Sequence, residues 1–276
     1  MTHYTTISVE LSHEDRIATV TLRRPEVHNA FNSQVIEELL AAFAPLHTNQ
    51  QLHGVILTGA GPSFSAGADL GMMQAAAAFT RERNIEDALQ LAFLLHTINT
   101  LPCPVIGRVN GTAMGGGVGL VAVCDIVIAA ASARFAFSEV KLGIAPAMIS
   151  PFVIRKIGES NARVLFVTGE RFSATRAREV GLVHSIVPPE HLDDAVQKAV
   201  NELLTSAPQA LRACKSLARS VGQMNYPEAR DYAAEMIAQL RVSDEGQEGL
   251  RSFLEKRKPR WVTPVQPLLS QENVKQ

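Results

Sequence analysis

The chain has 276 residues, of which 46% are hydrophobic and 19% are charged, and its formal net charge at pH 7 is -1. This composition is typical of a globular protein with one domain or slightly more, and it excludes a disordered or fibrous chain. With 26 basic against 27 acidic residues, the chain has no overall positive field to attract nucleic acid or an anionic membrane.

The three cysteines are Cys103, Cys124 and Cys214, and no two of them form a C-x-x-C pair. An odd number of cysteines, with an N-terminus that lacks a basic-then-apolar signal pattern, predicts reduced thiols in a cytoplasmic protein. No apolar run reaches the roughly 18 residues that a transmembrane helix requires. The histidines form no close pair of the kind that binds a metal.

In chain order, the first predicted elements are a hairpin and a helix. Apolar and polar residues alternate at 7–11 and 17–22, and the polar turn between them completes the pattern of a β-hairpin. Asn32 or Ser33 is expected to cap a helix that runs to about His47.

Strands and helices alternate through the middle of the chain. Strands are predicted at 54–58, 104–109, 125–129, 134–137 and 182–187. Helices are predicted from about 72 to 99, in the short run 120–124, and across 149–180.

Beyond residue 191 the pattern predicts only helices, which are divided at Pro208, Pro227 and Gly246. The change from mixed elements to helices alone predicts two regions. These are an α/β core at 1–200 and a helical region at 201–276.

The most informative motif is the segment 109–119, in which three consecutive glycines separate a predicted strand from an apolar run. Glycines have no Cβ, so backbone N–H groups at a helix start are left accessible. The helix dipole adds roughly half a positive charge there. The segment therefore predicts a main-chain site for a phosphate, a carboxylate or a reaction oxyanion, although close packing of a helix on a strand explains the glycines equally well.

A dinucleotide site is the rival interpretation of the same segment. Residues 117–122 match the pattern G-x-G-x-x-A. That fingerprint requires its first glycine directly after a strand and a full helix before the next strand. Here several residues precede the glycines and few remain before Asp125, so we favour the anion site over the dinucleotide site.

Residues 63–70 form a second segment that can carry chemistry, between a buried strand and a helix. Small side chains at Gly67 and Ala68 let the backbone meet a ligand directly, and Asp69 can cap the following helix. An ordinary strand–helix turn has the same composition, so this segment alone does not decide between the two.

Glu139 is a third candidate, because it ends a predicted strand at a point from which the chain can return to the glycine-rich loop. A carboxyl group in an apolar pocket has a raised pKa and can transfer protons near neutral pH. The structural alternative is an ion pair with Lys141 or Arg134.

Taken together and in this order, the three motifs resemble the crotonase family, the enoyl-CoA hydratase/isomerase superfamily. The resemblance extends from about residue 7 to residue 261. It rests on five segments, namely Arg24-Pro25 with 29–32, 65–69, 110–117, 168–174 and 179–183. It implies an α/β fold with a crotonase-like ββα spiral core and a C-terminal helical region that forms a homotrimer or a dimer of trimers.

The resemblance also implies a chemistry. Proteins of this family bind an acyl-CoA thioester, stabilise the enolate that forms on its carbonyl oxygen, and use no metal or redox cofactor. The oxyanion-hole donors would be the backbone N–H groups of Ala68 and Gly116. CoA contacts are implied for Arg24, Val27, Ala30, Ala66, Asp69 and Leu70, and for Phe253 and Lys256 reaching in from a neighbouring subunit's C-terminal helix.

The catalytic carboxylates depart from the family pattern. The family's hydratases hold a water between two glutamates; the second corresponds to Glu139, but the first falls at Gly119. One carboxylate suffices to move a proton between two carbons, which is isomerisation. It also suffices for hydration if Glu139 or a solvent relay handles both proton transfers.

The acyl chain is suggested by residues 139–151, which resemble bacterial 3-methylglutaconyl-CoA hydratases and their isoprenoid-side-chain relatives. A branched, dicarboxylic acyl chain needs a cation at the far end of the pocket, for which Arg81, Arg83 and Arg155 are candidates.

From the resemblance and from Glu139 we expect a hydratase that adds water to a 2-enoyl-CoA. The alternatives are a 3-enoyl to 2-enoyl-CoA isomerase that uses the same Glu139, and a non-catalytic acyl-CoA-binding subunit.

Overall fold

The structure is a computed structural model, and it describes residues 3–262. Within that range the chain forms ten strands and ten α-helices. The strands are β1 (Ile7–Ser12), β2 (Ile17–Leu22), β3 (Gly54–Gly59), β4 (Ser63–Ser65), β5 (Val105–Val109), β6 (Thr112–Met114), β7 (Ile126–Ala130), β8 (Arg134–Ala136), β9 (Arg171–Ser173) and β10 (Ser185–Val187). The α-helices are α1 (Ser33–Thr48), α2 (Leu70–Ala78), α3 (Arg81–Asn99), α4 (Gly116–Ala122), α5 (Ser150–Thr168), α6 (Ala174–Glu179), α7 (Leu192–Thr205), α8 (Pro208–Ser220), α9 (Tyr226–Val242) and α10 (Asp244–Leu254).

The strands form two mixed sheets. The larger has the order β1-β2-β3-β5-β7-β10, with β1 and β2 antiparallel and the other neighbours parallel. The smaller has the order β4-β6-β8-β9, in which only β8 and β9 are antiparallel. Three times in succession the chain passes from a strand of the larger sheet to a strand of the smaller one and then into a helix. This is the predicted ββα repeat.

Both faces of the larger sheet are buried, because its side chains alternate between two apolar clusters. Leu57 of β3 packs on one face with Leu39 and Phe43 of α1, whereas Ile56 packs on the other face with Val196 of α7. Parallel strands covered on both sides are typical of α/β proteins.

The predicted hairpin and the predicted α1 are confirmed. Asn32 caps α1, since its side chain accepts a hydrogen bond from the N–H of Val35 at 2.9 Å. The predicted boundary at residue 200 lies inside α7, whose apolar face packs on the larger sheet. The division into 1–200 and 201–276 stays a prediction, and residues beyond 262 lie outside the described range.

Several predicted helix limits are wrong. The helix expected at 72–99 is divided into α2 and α3, because Thr80 caps a new helix there. The helix expected at 149–180 is interrupted at Gly169, whose φ of 56° ends α5 before the short strand β9. Gly246 lies inside α10, and the break falls at Ser243, which caps that helix.

No helix within residues 3–262 has the length and apolar character needed to cross a membrane. The same residues contain no group of three or more His, Cys, Asp or Glu side chains arranged to hold a metal ion.

Glu38 of α1 anchors the segment that precedes β1. Its carboxylate accepts hydrogen bonds from the backbone N–H and the hydroxyl of both Thr5 and Thr6, at 2.8 to 3.1 Å. Burial acts to raise the pKa of Glu38, but the hydrogen bonds from Thr6 and Thr5 outweigh it and lower that pKa to about 2.

We therefore expect Glu38→Ala to lower the free energy of unfolding at pH 7 by about 1–2 kcal/mol, a value limited by solvent screening. Because the folded pKa is depressed, this stabilisation is present above the unfolded pKa of about 4.3 and is lost as the pH falls towards 2. Urea denaturation at several pH values measures it, and the exposed neighbour Glu37, changed to Ala, serves as the control. An equal loss of stability in Glu38→Ala and Glu37→Ala would contradict the stabilising role of the Glu38 hydrogen bonds.

Candidate active site

Three loops meet at one edge of the smaller sheet. Strands β4, β6 and β8 are parallel neighbours, so their carboxyl ends lie side by side. The chain leaves β4 towards Ala68, leaves β6 towards Gly116, and leaves β8 towards Glu139. The sheet therefore brings together the three residues that the sequence analysis singled out on separate segments.

The N–H of Ala68 is directed away from Phe31. The carbonyl of Gly67 accepts a hydrogen bond from the N–H of Phe31 at 2.6 Å, and the carbonyl of Phe31 accepts one from Asp69 at 2.7 Å. In a trans peptide the carbonyl and the following N–H point in opposite directions. The Ala68 N–H therefore points away from Phe31, and no group within residues 3–262 accepts its hydrogen bond.

Only glycine fits at position 67. Its φ is 84°, and a Cβ at this position would lie 2.6 Å from the carbonyl oxygen of Met114 and 3.3 Å from the nitrogen of Gly116. The turn that carries Ala68 thus packs closely against the loop that carries Gly116.

The second loop has an equally constrained glycine. Gly115 precedes α4 with φ 48° and ψ -119°, and its N–H donates to the carbonyl of Ala136 at 2.9 Å. Gly116 is the first residue of α4, is half-buried, and donates no hydrogen bond within the described range. The helix begins inside the glycine run rather than at 120 as the sequence suggested.

Asp69 caps α2, as predicted, by accepting a hydrogen bond from the N–H of Gly71 at 2.8 Å. This bond, together with the nearby Arg24 guanidinium, holds the pKa of Asp69 below its usual value. Arg24 donates to Asp69 at 3.0 Å and to the carbonyl of Ala30 at 2.8 Å. Arg24 and Asp69 therefore hold the Ala68 turn in place, whatever contact they make with CoA.

Among the other predicted CoA contacts, Ala30 is buried, and the rest are surface residues. Val27, Ala66 and Leu70 are exposed beside the Ala68 turn. Phe253 and Lys256 are exposed at the C-terminal end of α10. All eight CoA contacts, Arg24, Asp69 and Ala30 included, stay predictions.

Glu139 lies in a short 3₁₀ helix, Ser138–Leu142, rather than at the end of a strand. Its Oε1 is 3.1 Å from the position that a Cβ on Gly115 would occupy, and its Oε2 is buried without a hydrogen-bond partner among the described residues. Burial raises the pKa of Glu139, and its own backbone N–H opposes this only in part.

The structural alternative for Glu139 is wrong. Within residues 3–262 it forms no ion pair with Lys141 or Arg134, and Arg134 instead donates to the carbonyls of Ser132 and Ala133. A carboxylate that is half-buried, unpaired and beside accessible N–H groups is typical of an acid–base group.

The chain matches the family model described as enoyl-CoA hydratase/isomerase over residues 12–264. It belongs to this family.

A crystal structure of an enoyl-CoA hydratase from Shewanella pealeana is 40% identical in sequence and superposes with a TM-score of 0.88. The match covers 93% of this chain and 96% of that protein. The short-chain-enoyl-CoA hydratase of Clostridium acetobutylicum is 32% identical over 257 residues, which are 91% of this chain and 96% of that protein. The crotonyl-CoA hydratase of Syntrophomonas wolfei is 33% identical over 258 residues, which are 93% of this chain and 98% of that protein. The predicted crotonase fold is thus confirmed.

The dinucleotide interpretation does not fit this member of the family. Strand β6 stands between β5 and the glycine run, and α4 has only seven residues. Both features are incompatible with the strand–glycine–helix arrangement that the dinucleotide fingerprint requires.

Gly119 is closed to any side chain. A Cβ at this position would collide with Cγ2 of Ile149, and it would lie 3.1 Å from Cβ of Ile149 and 3.5 Å from Cδ1 of Leu95. Sequence reasoning identified the missing carboxylate at Gly119 but not the apolar residues that fill its place. Ile149 carries no local signal of this role, because it comes from the start of α5.

The arginines proposed for the far end of the acyl pocket lie apart from one another. Arg81 and Arg83 are exposed in the first turn of α3, where they pair with Glu82 and Glu86. Arg155 lines a cavity beside the C-terminal end of α4, the end opposite to Gly116.

We predict that Gly119→Ala lowers stability, although alanine normally favours a helix interior. The overlap with Ile149 is expected to cost about 1–3 kcal/mol, which exceeds the roughly 0.5–1 kcal/mol gained in helix propensity. Ile149→Ala should relieve that overlap, so the double variant should lose at least about 1 kcal/mol less than the sum of the single losses. Chemical denaturation measures the cycle, with Gly222→Ala, which meets nothing within 4 Å, as the control. If the two losses in stability were additive, a direct contact between Ile149 and the new Cβ at position 119 would be excluded.

A second prediction concerns the charge of Glu139. Since its folded pKa is raised, its contribution to stability is present below the unfolded pKa of about 4.3 and is lost as the pH rises through the folded value. The melting temperature of Glu139→Gln, relative to that of the unsubstituted protein, should therefore rise between pH 4 and pH 8. The exposed Glu170, changed to Gln, serves as the control, and a melting-temperature difference for Glu139→Gln that does not change with pH would refute the raised pKa.

Proposed function

We propose that this protein is an enoyl-CoA hydratase that adds water across the 2,3 double bond of an enoyl-CoA thioester. Family membership supports an acyl-CoA substrate. The observation that carries the proposal is the unpaired carboxylate of Glu139, which lies next to Gly115 and therefore close to the N–H group of Gly116.

In this proposal the thioester carbonyl oxygen accepts hydrogen bonds from the N–H groups of Ala68 and Gly116. Negative charge develops on that oxygen as the enolate forms, so the two donors bind the transition state more tightly than the substrate. Loss of one such donor typically costs about 3 kcal/mol. Because both donors belong to the main chain, the glycines around them are part of the catalytic design.

Glu139 then acts as the single acid–base. Its carboxylate takes a proton from water while the water oxygen bonds to C3, and the electrons of the double bond move into the enolate. The enolate collapses as C2 takes a proton, either from the Glu139 carboxylic acid or from solvent. A raised pKa suits both steps, since it brings proton affinity closer to the working pH.

An isomerase is the second candidate, and the surroundings of Gly119 favour it. Ile149 and Leu95 occupy the place of a second carboxylate with apolar groups. Glu139 alone can remove a proton from C2 of a 3-enoyl-CoA and return it to C4, which gives the 2-enoyl-CoA. The two reactions share the same donors and the same enolate.

For the acyl chain we propose a branched group of the 3-methylglutaconyl type. The sequence of residues 139–151 supports it. The side chains nearest to Gly116 and Gly119 are apolar, namely Phe31, Leu91, Leu95 and Ile149. They suit a branched hydrocarbon, whose terminal carboxylate would require a cation that the structure does not place beside them among residues 3–262.

We also propose that the helical region 201–276 assembles a homotrimer or a dimer of trimers around the acyl-CoA-binding core at 1–200. Large apolar side chains are exposed on α9 and α10, among them Tyr226, Val242, Phe253 and Leu254. Burial of such residues against a second copy removes apolar surface from water. In that assembly Phe253 and Lys256 would cover a neighbour's CoA.

We expect Glu139→Gln to lower kcat by about 100-fold to 10,000-fold, the usual worth of a positioned acid–base, with a much smaller change in the Kd for a CoA thioester. Glu170→Gln should keep full activity. Steady-state kinetics and calorimetry with crotonyl-CoA measure both quantities. Undiminished turnover in Glu139→Gln would overturn the assignment, and a parent protein that binds CoA thioesters without turnover would be a binding subunit.

Product masses in heavy-oxygen water separate the two reactions. A product heavier by one labelled water, formed fastest from 3-methylglutaconyl-CoA, is expected for the proposed hydratase. A product of unchanged mass, formed only from 3-enoyl thioesters, would establish the isomerase instead.

A further inference from the structure

Ser65 lies between the loops of the two proposed oxyanion donors. It is the last residue of β4, where it pairs with Ala113 of the parallel strand β6. Its side chain is completely buried, so it does not contact substrate or solvent. Any effect of Ser65 on the proposed reaction must therefore be transmitted through other residues.

The Ser65 hydroxyl fixes one end of the Gly67 residue. It donates to the carbonyl of Asn29 at 2.8 Å, which leaves its lone pairs for the N–H of Gly67 at 3.2 Å. The other end of Gly67 is fixed by the bond from Phe31 to its carbonyl. With both peptide groups held, the φ of Gly67 is fixed at 84°, and so is the direction of the Ala68 N–H.

The remainder of Ser65 packs against the second loop. A Cβ on Gly117 would collide with the carbonyl oxygen of Ser65 and would lie 3.0 Å from its Cβ. Gly117 directly follows Gly116, the second proposed donor. Ser65 thus touches the Ala68 turn through its hydroxyl and the Gly116 turn through its backbone.

We propose that Ser65 is a positioning residue that sets the direction of the Ala68 N–H relative to that of Gly116, and so the polarisation of the thioester carbonyl. The inference rests on the proposed function, since it assumes that both N–H groups bind one carbonyl oxygen. Removal of the hydroxyl leaves the Asn29 carbonyl and the Gly67 N–H without a partner and lets the Gly67 peptides rotate. The loss should therefore appear in kcat and in carbonyl polarisation, and much less in KM.

The test uses dimethylaminocinnamoyl-CoA, a chromophoric thioester whose absorption band moves to longer wavelength when its carbonyl is polarised. The variants are Ser65→Ala, which removes the hydroxyl, and Ser65→Cys, which keeps a group of similar size with a weak donor and acceptor. The matched control is Ser63→Ala, in the same strand, whose hydroxyl bonds to Nδ1 of His28 at 3.0 Å. Binding is measured by titration, and melting temperatures report folding.

We expect the parent protein and Ser63→Ala to shift the band fully, Ser65→Ala to bind the thioester with a clearly smaller shift, and Ser65→Cys to be intermediate. The kcat of Ser65→Ala should fall by about tenfold to a hundredfold, the scale of a small misplacement of donors. If Ser65→Ala does not fold, Ser65→Cys alone carries the test.

A full band shift in every Ser65 variant that folds and binds would overturn the inference and leave the proposed function standing. An equal loss in Ser63→Ala would also overturn it, because the effect would then come from any disturbance of β4. A parent protein that binds the thioester without a band shift would overturn the proposed function itself, and the role of Ser65 with it.

Discussion

The planar peptide between Gly67 and Ala68 couples the fold to the proposed chemistry. Its carbonyl is held by Phe31 at 2.6 Å, and planarity then dictates where its N–H points. The ring of Phe31 also lies 3.0 Å from where a Cβ on Gly116 would be, so the same residue limits the second loop. Gly67 follows from the close approach of the Met114 carbonyl, Gly115 from its positive φ beside the Glu139 carboxylate, and Gly116 from the Phe31 ring.

The carboxylates of Glu38, Glu248 and Glu139 have two opposite environments, one rich in hydrogen-bond donors and one poor in them. Glu38 and Glu248 are surrounded by donors, and hydrogen bonds bring the pKa of each to about 2. Glu139 is given a buried oxygen with no donor within residues 3–262, so its ionised form is held at a cost in stability. The contrast with Glu38 and Glu248 is what supports the proposed acid–base role of Glu139.

Local rules explain what the sequence could predict. The hairpin, α1, the longer strands and the need for glycine at 115–117 follow from alternation, capping and the lack of a Cβ. Three-residue strands such as β9 are too short to show a period, and the break at Thr80 depends on a single cap. The contact between Ile149 and Gly119, and that between Ser65 and Gly117, join residues far apart in sequence. No pattern within either segment specifies them, because each arises from the packing of one repeat on another.

Each of the three ββα repeats contributes one of the three proposed functional groups, at the point where the chain leaves the smaller sheet for a helix. The three residues, Ala68, Gly116 and Glu139, lie in separate segments of the sequence although they are adjacent in space. Each can therefore be substituted independently of the other two. Under the proposed function, a change at the third connection alters proton transfer, while the N–H groups of the first two still bind the thioester oxygen. An architecture of this kind can diversify its reactions one connection at a time, with binding inherited intact.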